Sequence, residues 1–133
     1  MKVAKIYLLT LIVFLGIDSI WLTQISPSLY DHYIGYLLAS NPNLLAALAF
    51  YLLYIGGLVY LVLIPALKNK SIKQAVLGGA ILGLVSYATY DLTNLAVVKN
   101  WPAAISFIDM LWGTTLTAVT ALVSFKLSKK YIK

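Results

Sequence analysis

Three aspartates lie inside the apolar stretches of this chain, where a carboxylate is costly to place. They are Asp18, Asp91 and Asp109. A carboxylate facing lipid costs at least about 2.5–3.5 kcal/mol, so we expect all three to face a protein interior. Buried carboxyl groups bind cations, relay protons or act as a paired general acid and base.

Tyrosines, an amide and a tryptophan accompany these acids. The segment YATYDLTN, residues 87–94, surrounds Asp91, and Asp-x-x-Trp occurs twice, at Asp18/Trp21 and Asp109/Trp112. The predicted ligand- or ion-binding residues are Asp18, Asp91, Asp109, Asn94, Tyr51, Tyr54, Tyr87, Tyr90 and Trp112. The sequence contains no recognisable nucleophile, metal-ligand set or cofactor motif, so we assign no catalytic residue, no metal site and no cofactor.

The composition is that of an integral membrane protein. Of 133 residues, 62% are hydrophobic and only 11% are charged, and the mean hydropathy is +0.91, whereas a soluble domain is about half apolar. The absence of cysteine excludes disulfides and thiolate metal sites. A single histidine, His32, argues against a multi-histidine metal site, and with Asp31 we interpret it as a solvated loop pair.

Four stretches are long and apolar enough to cross a bilayer, which needs about 20 residues. They are residues 5–25, 43–66, 74–98 and 102–125, and they predict one all-α domain, a four-transmembrane-helix bundle over residues 1–133. The first stretch resembles a signal peptide, but no cleavage site of small residues follows, so we expect it to be kept. The loop between the first two spans predicts a short interfacial helix, with Tyr30, Tyr33, Ile34, Leu37 and Leu38 at helical spacing.

The lysines predict the orientation of the chain. Nine of the ten flank the spans on one side: Lys2, Lys5, Lys68, Lys70, Lys73, Lys126, Lys129, Lys130 and Lys133. Only Lys99 lies on the other side. Because loops rich in lysine stay in the cytoplasm, both termini are expected there. The net charge of +6 follows from this asymmetry, so we predict no nucleic-acid partner.

The spans place the three acids at a similar depth. Each lies seven residues from the predicted outer end of its span, or roughly 10 Å below the outer boundary, and Tyr51 and Tyr54 reach about the same level. Small and polar residues form a stripe in each of the last two spans: Ala75, Gly79, Gly83 and Tyr87 in one, and Asp109, Gly113, Thr117, Thr120 and Ser124 in the other. We therefore expect close packing in the cytoplasmic half and a polar pocket in the outer half.

The three tryptophans have simpler interpretations. Trp101 and Trp21 are predicted to be interfacial anchors. Trp112 lies deeper, where packing is its expected role and a position at the pocket wall is the alternative.

Several segments resemble a known family. YDLTNLAVVKNWP, the Asp-x-x-Trp-Gly helix that follows it and the earlier FYLLYIGGL resemble the domain of unknown function 2177 family of small four-span bacterial membrane proteins. The resemblance covers nearly the whole chain and implies a multi-pass protein of the bacterial inner membrane. It implies no catalytic residue.

Three functions remain open from the residues alone. The first is binding or transport of a cation, a proton or a small polar or lipid ligand in an acid-lined pocket, which we favour. The second is a membrane-embedded enzyme that modifies a lipid with paired aspartates. The third is a structural subunit whose protonated or hydrogen-bonded polar cluster only fixes helix packing. Membrane lipids are the expected partners, and a homodimer would enlarge any path through so small a bundle.

Overall fold

Four apolar helical segments, each long enough to span a membrane, make up the fold in the computed structural model, which describes residues 1–132. They cover Lys2–Leu37, Leu44–Lys68, Ile72–Val97 and Ala103–Tyr131. The predicted all-α four-span architecture is therefore confirmed. The main differences from the predicted spans are that the first segment continues to Leu37 and the fourth to Tyr131.

The first segment is a single helical rod with a widened turn in it. Helix α1 covers Lys2–Ile20, a π-helical turn covers Trp21–Ile25, α2 covers Ser26–Ile34, and a 3₁₀ turn covers Gly35–Leu37. The short helix predicted in the first outer loop is present as α2, but it continues α1 instead of forming a separate element. Pro27 lies in the first turn of α2. Proline has no backbone N–H to donate to the preceding turn, and that turn is π-helical, with a hydrogen-bond spacing already different from that of an α-helix.

The second segment stands apart from the bundle at the end away from Lys2 and Lys130, which is the predicted outer end. Helix α3 covers Leu44–Leu58, a π-helical turn covers Val59–Leu63, and α4 covers Ile64–Lys68 with Pro65 in its first turn. The Asn43 side chain caps α3 by accepting a hydrogen bond from the Ala46 amide. Residues 44–50 are all exposed, and buried positions begin only at Tyr54. Only the inner part of this segment therefore packs on its neighbours.

Helices α5, Ile72–Val97, and α6, Ala103–Tyr131, approach each other most closely. A Cβ atom on Gly79 would lie 2.8 Å from the Thr117 carbonyl oxygen, and one on Gly83 would collide with the Gly113 carbonyl oxygen. Glycine is therefore required at these crossings, because only a hydrogen fits between the two backbones. The two predicted small-residue stripes meet here through Gly79, Gly83 and Tyr87 on α5 and Gly113 and Thr117 on α6. Apart from the half-buried Tyr87, all members of both stripes are buried.

Candidate functional site: a layer of carboxyl groups in the outer half

Asp18 is held by donors from two other helices. Its Oδ2 accepts a hydrogen bond from the Tyr51 hydroxyl at 2.9 Å, and its Oδ1 accepts one from Trp112 Nε1 at 3.2 Å. The side chain is 5% exposed. Asp18 therefore ties α1 to α3 and α6, and both of its carboxyl oxygens are occupied by the protein.

Trp112 also connects this group to the rest of the layer. Its ring stacks on Trp21 with centroids 4.7 Å apart, and Trp21 meets Tyr30 edge-on at 6.4 Å. Trp21 is 8% exposed, so its predicted role as an interfacial anchor is wrong. The reason is that α1 does not end near residue 25: the helix continues, and Trp21 faces the bundle.

Asp109 is bound from the first segment as well. The Tyr30 hydroxyl of α2 donates a hydrogen bond to Asp109 Oδ1, and Asp109 is 6% exposed. Burial of this carboxyl group next to an aromatic hydroxyl requires α2 to lie along the outer end of α6. The extension of the first helix beyond residue 25 therefore completes the layer.

Asp91 is the most buried of the three acids and the least satisfied. Its side chain is 1% exposed, and no N–H or hydroxyl group within residues 1–132 donates to either carboxyl oxygen. The Asp109 carboxyl group lies within hydrogen-bonding reach, so the two acids can share one proton. Its backbone carbonyl accepts a hydrogen bond from Ser106 Oγ, which in turn accepts one from Trp101 Nε1. Trp101 is thus half-buried, and its indole N–H is hydrogen-bonded above the acid layer. Its role as an anchor at the membrane interface stays a prediction. A buried polar group without a donor calls for a physical explanation.

Two cavities adjoin the acid layer. The smaller, of about 140 Å³, is lined by Tyr30, Ile34, Leu38, Tyr90, Asp91, Trp101, Ile105 and Asp109. The larger, of about 390 Å³, is lined by Tyr30, Phe50, Ser86, Tyr87, Tyr90 and Asp109. Tyr30, Tyr90 and Asp109 line both. The smaller cavity holds both remaining carboxyl groups, and the larger is walled mainly by aromatic rings.

The smaller cavity is covered at the outer end of the bundle. Ile34 of α2, Leu38 directly after the first segment and Trp101 of the loop before α6 form part of its wall. The Tyr36 hydroxyl fastens this cover by donating a hydrogen bond to the Asn100 carbonyl oxygen at 2.7 Å. The larger cavity is a cleft on the side where the exposed outer half of α3 stands apart, and Tyr90 is 56% exposed at its edge.

The other predicted site residues take different positions. Tyr54 is buried below the layer and its hydroxyl hydrogen-bonds Thr117 Oγ1 at 2.7 Å rather than an acid. Tyr87 packs on Gly113 and lines the cleft. Asn94 is half-buried on α5 and lines neither cavity. Of the nine predicted residues, the structure therefore brings all but Tyr54 and Asn94 to the acid layer or its cavities.

Sequence reasoning missed Tyr30, Trp21 and Ser106 as parts of the site. A signal for the first two is present in the sequence. Buried residues of α1 recur every fourth position, at Ile6, Thr10, Phe14 and Asp18, and the same face resumes at Ser26, Tyr30 and Ile34. The predicted depth of Asp18 was based on a first span that ends near residue 25. In the structure, the hydrogen bond from Trp112 fixes the level of Asp18 in the bundle instead.

The three acids do not act as one metal site. Among the described residues, no group of three histidine, cysteine or carboxylate side chains is arranged to hold a metal ion. The layer consists instead of a satisfied carboxyl group, Asp18, and a pair beside a small cavity, Asp91 and Asp109. Carboxyl oxygens without donors are suited to accept hydrogen bonds from a cationic or N–H-bearing group.

Comparison with known proteins gives one match. The family model described as "Predicted membrane protein (DUF2177)" matches residues 3–126. A search of the curated proteins found no match, and a search of the solved structures found none either. The chain therefore belongs to the DUF2177 family of predicted membrane proteins.

Proposed function

We propose that the Asp91–Asp109 cavity binds a small amphiphile with a cationic or hydrogen-bond-donating headgroup, such as a primary amine attached to an alkyl chain. The observation that carries this proposal is the Asp91 carboxyl group. It is 1% exposed, lines the cavity and receives no hydrogen bond from an N–H or hydroxyl group of the described chain. Leaving such a group unpaired costs about 1–3 kcal/mol, and a bound donor removes that cost.

The size and lining of the two cavities support an amphiphile over a bare ion. A volume of about 140 Å³ holds a headgroup of a few heavy atoms, since one water molecule takes about 30 Å³. The adjoining cleft of about 390 Å³ falls in the range of small-molecule pockets, roughly 300–1,000 Å³. Its rings Phe50, Tyr87 and Tyr90 would cover an alkyl chain.

The direction of access supports the same ligand. The cover formed by α2 and Trp101 separates the smaller cavity from the outer end of the bundle. The cleft lies where α3 is exposed, on the side that faces lipid in a membrane. A ligand dissolved in the bilayer would therefore reach Asp109 without crossing the aqueous boundary.

Both carboxyl oxygens of Asp18 accept hydrogen bonds from the protein, which supports a purely structural role for Asp18 but not for Asp91 or Asp109. With two donors from two other helices, it fixes the arrangement of the bundle, whereas Asp109 has one donor, Tyr30, and Asp91 has none among the described N–H and hydroxyl groups. Transport of the bound group and lipid modification with these two carboxyl groups would both begin with the same binding step.

The test is ligand-induced thermal stabilisation of the purified protein in a neutral detergent. The probe is dodecylamine, and dodecanol, which has the same chain but no charge, is its matched control. A ligand that binds only the folded state adds about 2.7 kcal/mol at a hundredfold excess over its dissociation constant. We expect dodecylamine to raise the melting temperature of the wild type and dodecanol to have a much smaller effect.

The variant Asp91→Asn should remain folded, because an amide is cheaper to bury than a carboxylate, but it should lose most of the shift with dodecylamine. Asp31→Asn makes the same change at an exposed position of α2 and should respond as the wild type does. Equal stabilisation of wild type and Asp91→Asn, or equal effects of the amine and the alcohol, would contradict the proposal.

A further inference from the structure

A third cavity lies at the opposite, lysine-rich end of the bundle. It has a volume of about 180 Å³. Lys2 of α1, Lys70 of the loop between α4 and α5, and Lys129 of α6 lie around it, together with Ser128. The apolar side chains Ile6 and Phe125 form part of its wall. The first and fourth spans and the loop before α5 therefore contribute cations and a hydroxyl group to one space.

No aspartate side chain of the chain lies close enough in sequence to balance these cations. The four aspartates are Asp18, Asp31, Asp91 and Asp109. Asp18 lies about 24 Å further along α1 than Lys2, and Asp91 and Asp109 belong to the outer layer. A bound anion would therefore meet no competing aspartate in this cavity.

Ser128 contributes a buried hydroxyl group to the wall of this cavity. It is 2% exposed, and its Oγ is buried without a hydrogen-bond partner in residues 1–132. Serine hydroxyl groups in helices ordinarily donate to a carbonyl oxygen of the preceding turn. This hydroxyl borders the lysine-lined cavity instead, where it can donate to an acceptor placed between the lysines.

The backbone at Lys70 supports the same interpretation. Its φ of 53° is in the left-handed region, which favours glycine at the end of a helix. The Lys70 amide donates to the Leu67 carbonyl oxygen, and the Ser71 amide donates to that of Ala66. The turn itself would thus be more relaxed with glycine, and what lysine adds at this position is a side chain directed to the cavity.

We propose that this lysine-lined cavity binds a phosphate group, in the form of the phosphodiester headgroup of an anionic lipid. Lysine ammonium groups and a hydroxyl are the ordinary partners of phosphate oxygens. The first-turn amides of α1, which begins at Lys2, lie at the same end and add donors without helical partners. This cavity shares no lining residue with the Asp91–Asp109 cavity, so ligand binding at the two sites can be tested independently.

The experiment measures thermal unfolding in neutral detergent with three probes: phosphatidylglycerol, phosphatidylcholine and inorganic phosphate. Phosphatidylglycerol should raise the melting temperature of the wild type. Phosphatidylcholine, whose phosphate is neutralised by its own choline, should have little effect. A shift with inorganic phosphate would identify free phosphate as the source of the group, and its absence would identify the lipid.

The variants separate a built site from diffuse attraction to positive charge. Lys70→Gly removes one cation and relaxes the turn, so it should fold well while its apparent affinity for phosphatidylglycerol falls about tenfold. Ser128→Ala, which deletes only the hydroxyl, should lower the affinity by a smaller factor. Lys73→Gln is the matched control, because Lys73 is an exposed cation at the same end of the bundle outside this cavity.

Loss of affinity in Lys70→Gly with wild-type affinity in Lys73→Gln supports the site. Equal losses in the two variants would overturn it, since they would report only the total charge at this end. A wild-type protein that responds equally to both lipids, or to none of the three probes, would also overturn it.

Discussion

The three carboxyl groups of the outer layer differ in the number of donors that the protein gives them. Asp18 accepts two hydrogen bonds, Asp109 accepts one from Tyr30, and Asp91 accepts none from the described residues. Composition and hydropathy are enough to identify all three as buried, because a carboxylate facing lipid is costly. Their unequal satisfaction was not predictable, since it depends on which donor each neighbouring helix presents.

Tyr30 provides a direct test of the Asp109 contact. Tyr30→Phe keeps the ring that meets Trp21 and removes only the hydroxyl that donates to Asp109. Because Asp109 Oδ1 then lacks its donor, we expect the free energy of unfolding to fall by about 1–3 kcal/mol. Denaturant unfolding in detergent, followed by tryptophan fluorescence or circular dichroism, measures this change.

Tyr33→Phe is the matched control, since it makes the same deletion in the same helix at a half-buried position away from the two cavities. Its effect should stay within about 0.5 kcal/mol. If both variants are as stable as the wild type, then Tyr30 does not hold Asp109 and α2 is not fixed to the acid layer in this way.

The packing of α5 on α6 was easier to predict than the course of the first segment. Helices α5 and α6 meet through glycine and small hydroxyl residues, a pattern that the spacing of Gly79, Gly83 and Gly113 made predictable. The first segment was predicted less well because it contains a π-helical turn. The buried face of α1 advances in steps of four up to Asp18, reaches Trp21, and then needs a step of five to Ser26. A regular helical period does not contain such a step, so Tyr30 and Ile34 were assigned to an interfacial helix.

Substitution of Gly83 tests the close approach of α5 and α6. In Gly83→Ala the new methyl group would collide with the Gly113 carbonyl oxygen and crowd Thr117. Backbone cannot move aside as a flexible side chain can, so we expect a loss of at least about 1–3 kcal/mol in unfolding free energy. Gly16→Ala is the control, because nothing lies within 4 Å of a Cβ atom there. That variant should gain up to about 1 kcal/mol from its higher helix propensity. A Gly83→Ala protein as stable as Gly16→Ala would contradict this packing.

The outer cleft is a property of the whole molecule. The number of spans follows from apolar stretches of sufficient length, and the family model that matches residues 3–126 describes a membrane protein. The cleft does not follow from any one span. It exists because residues 44–50 of α3 are exposed, while α2 continues from α1 to cover the ends of α5 and α6. Hydropathy describes each helix singly and contains no information on where two of them diverge.

The orientation of the protein in the membrane can be measured directly. Nine lysines mark one end of the bundle, and we propose that this end faces the cytoplasm because lysine-rich loops are retained there. The sequence contains no cysteine, so a single introduced cysteine reports its own location without background. Ser40 lies in the exposed loop before α3, and Asn69 lies in the exposed loop after α4.

We expect a membrane-impermeant maleimide to label Ser40→Cys in intact cells and Asn69→Cys only after the membrane is permeabilised. The reverse pattern would place the lysine-rich cavity outside and the Asp91–Asp109 cavity in the cytoplasmic half. Labelling of both positions in intact cells would indicate that the chain inserts in two orientations, which the nine-to-one distribution of lysines opposes. In either case the cavities would keep their geometry, since helix packing sets it. The leaflet from which a lipid-borne amine reaches the cleft would change, and with it the leaflet in which an anionic headgroup meets Lys70.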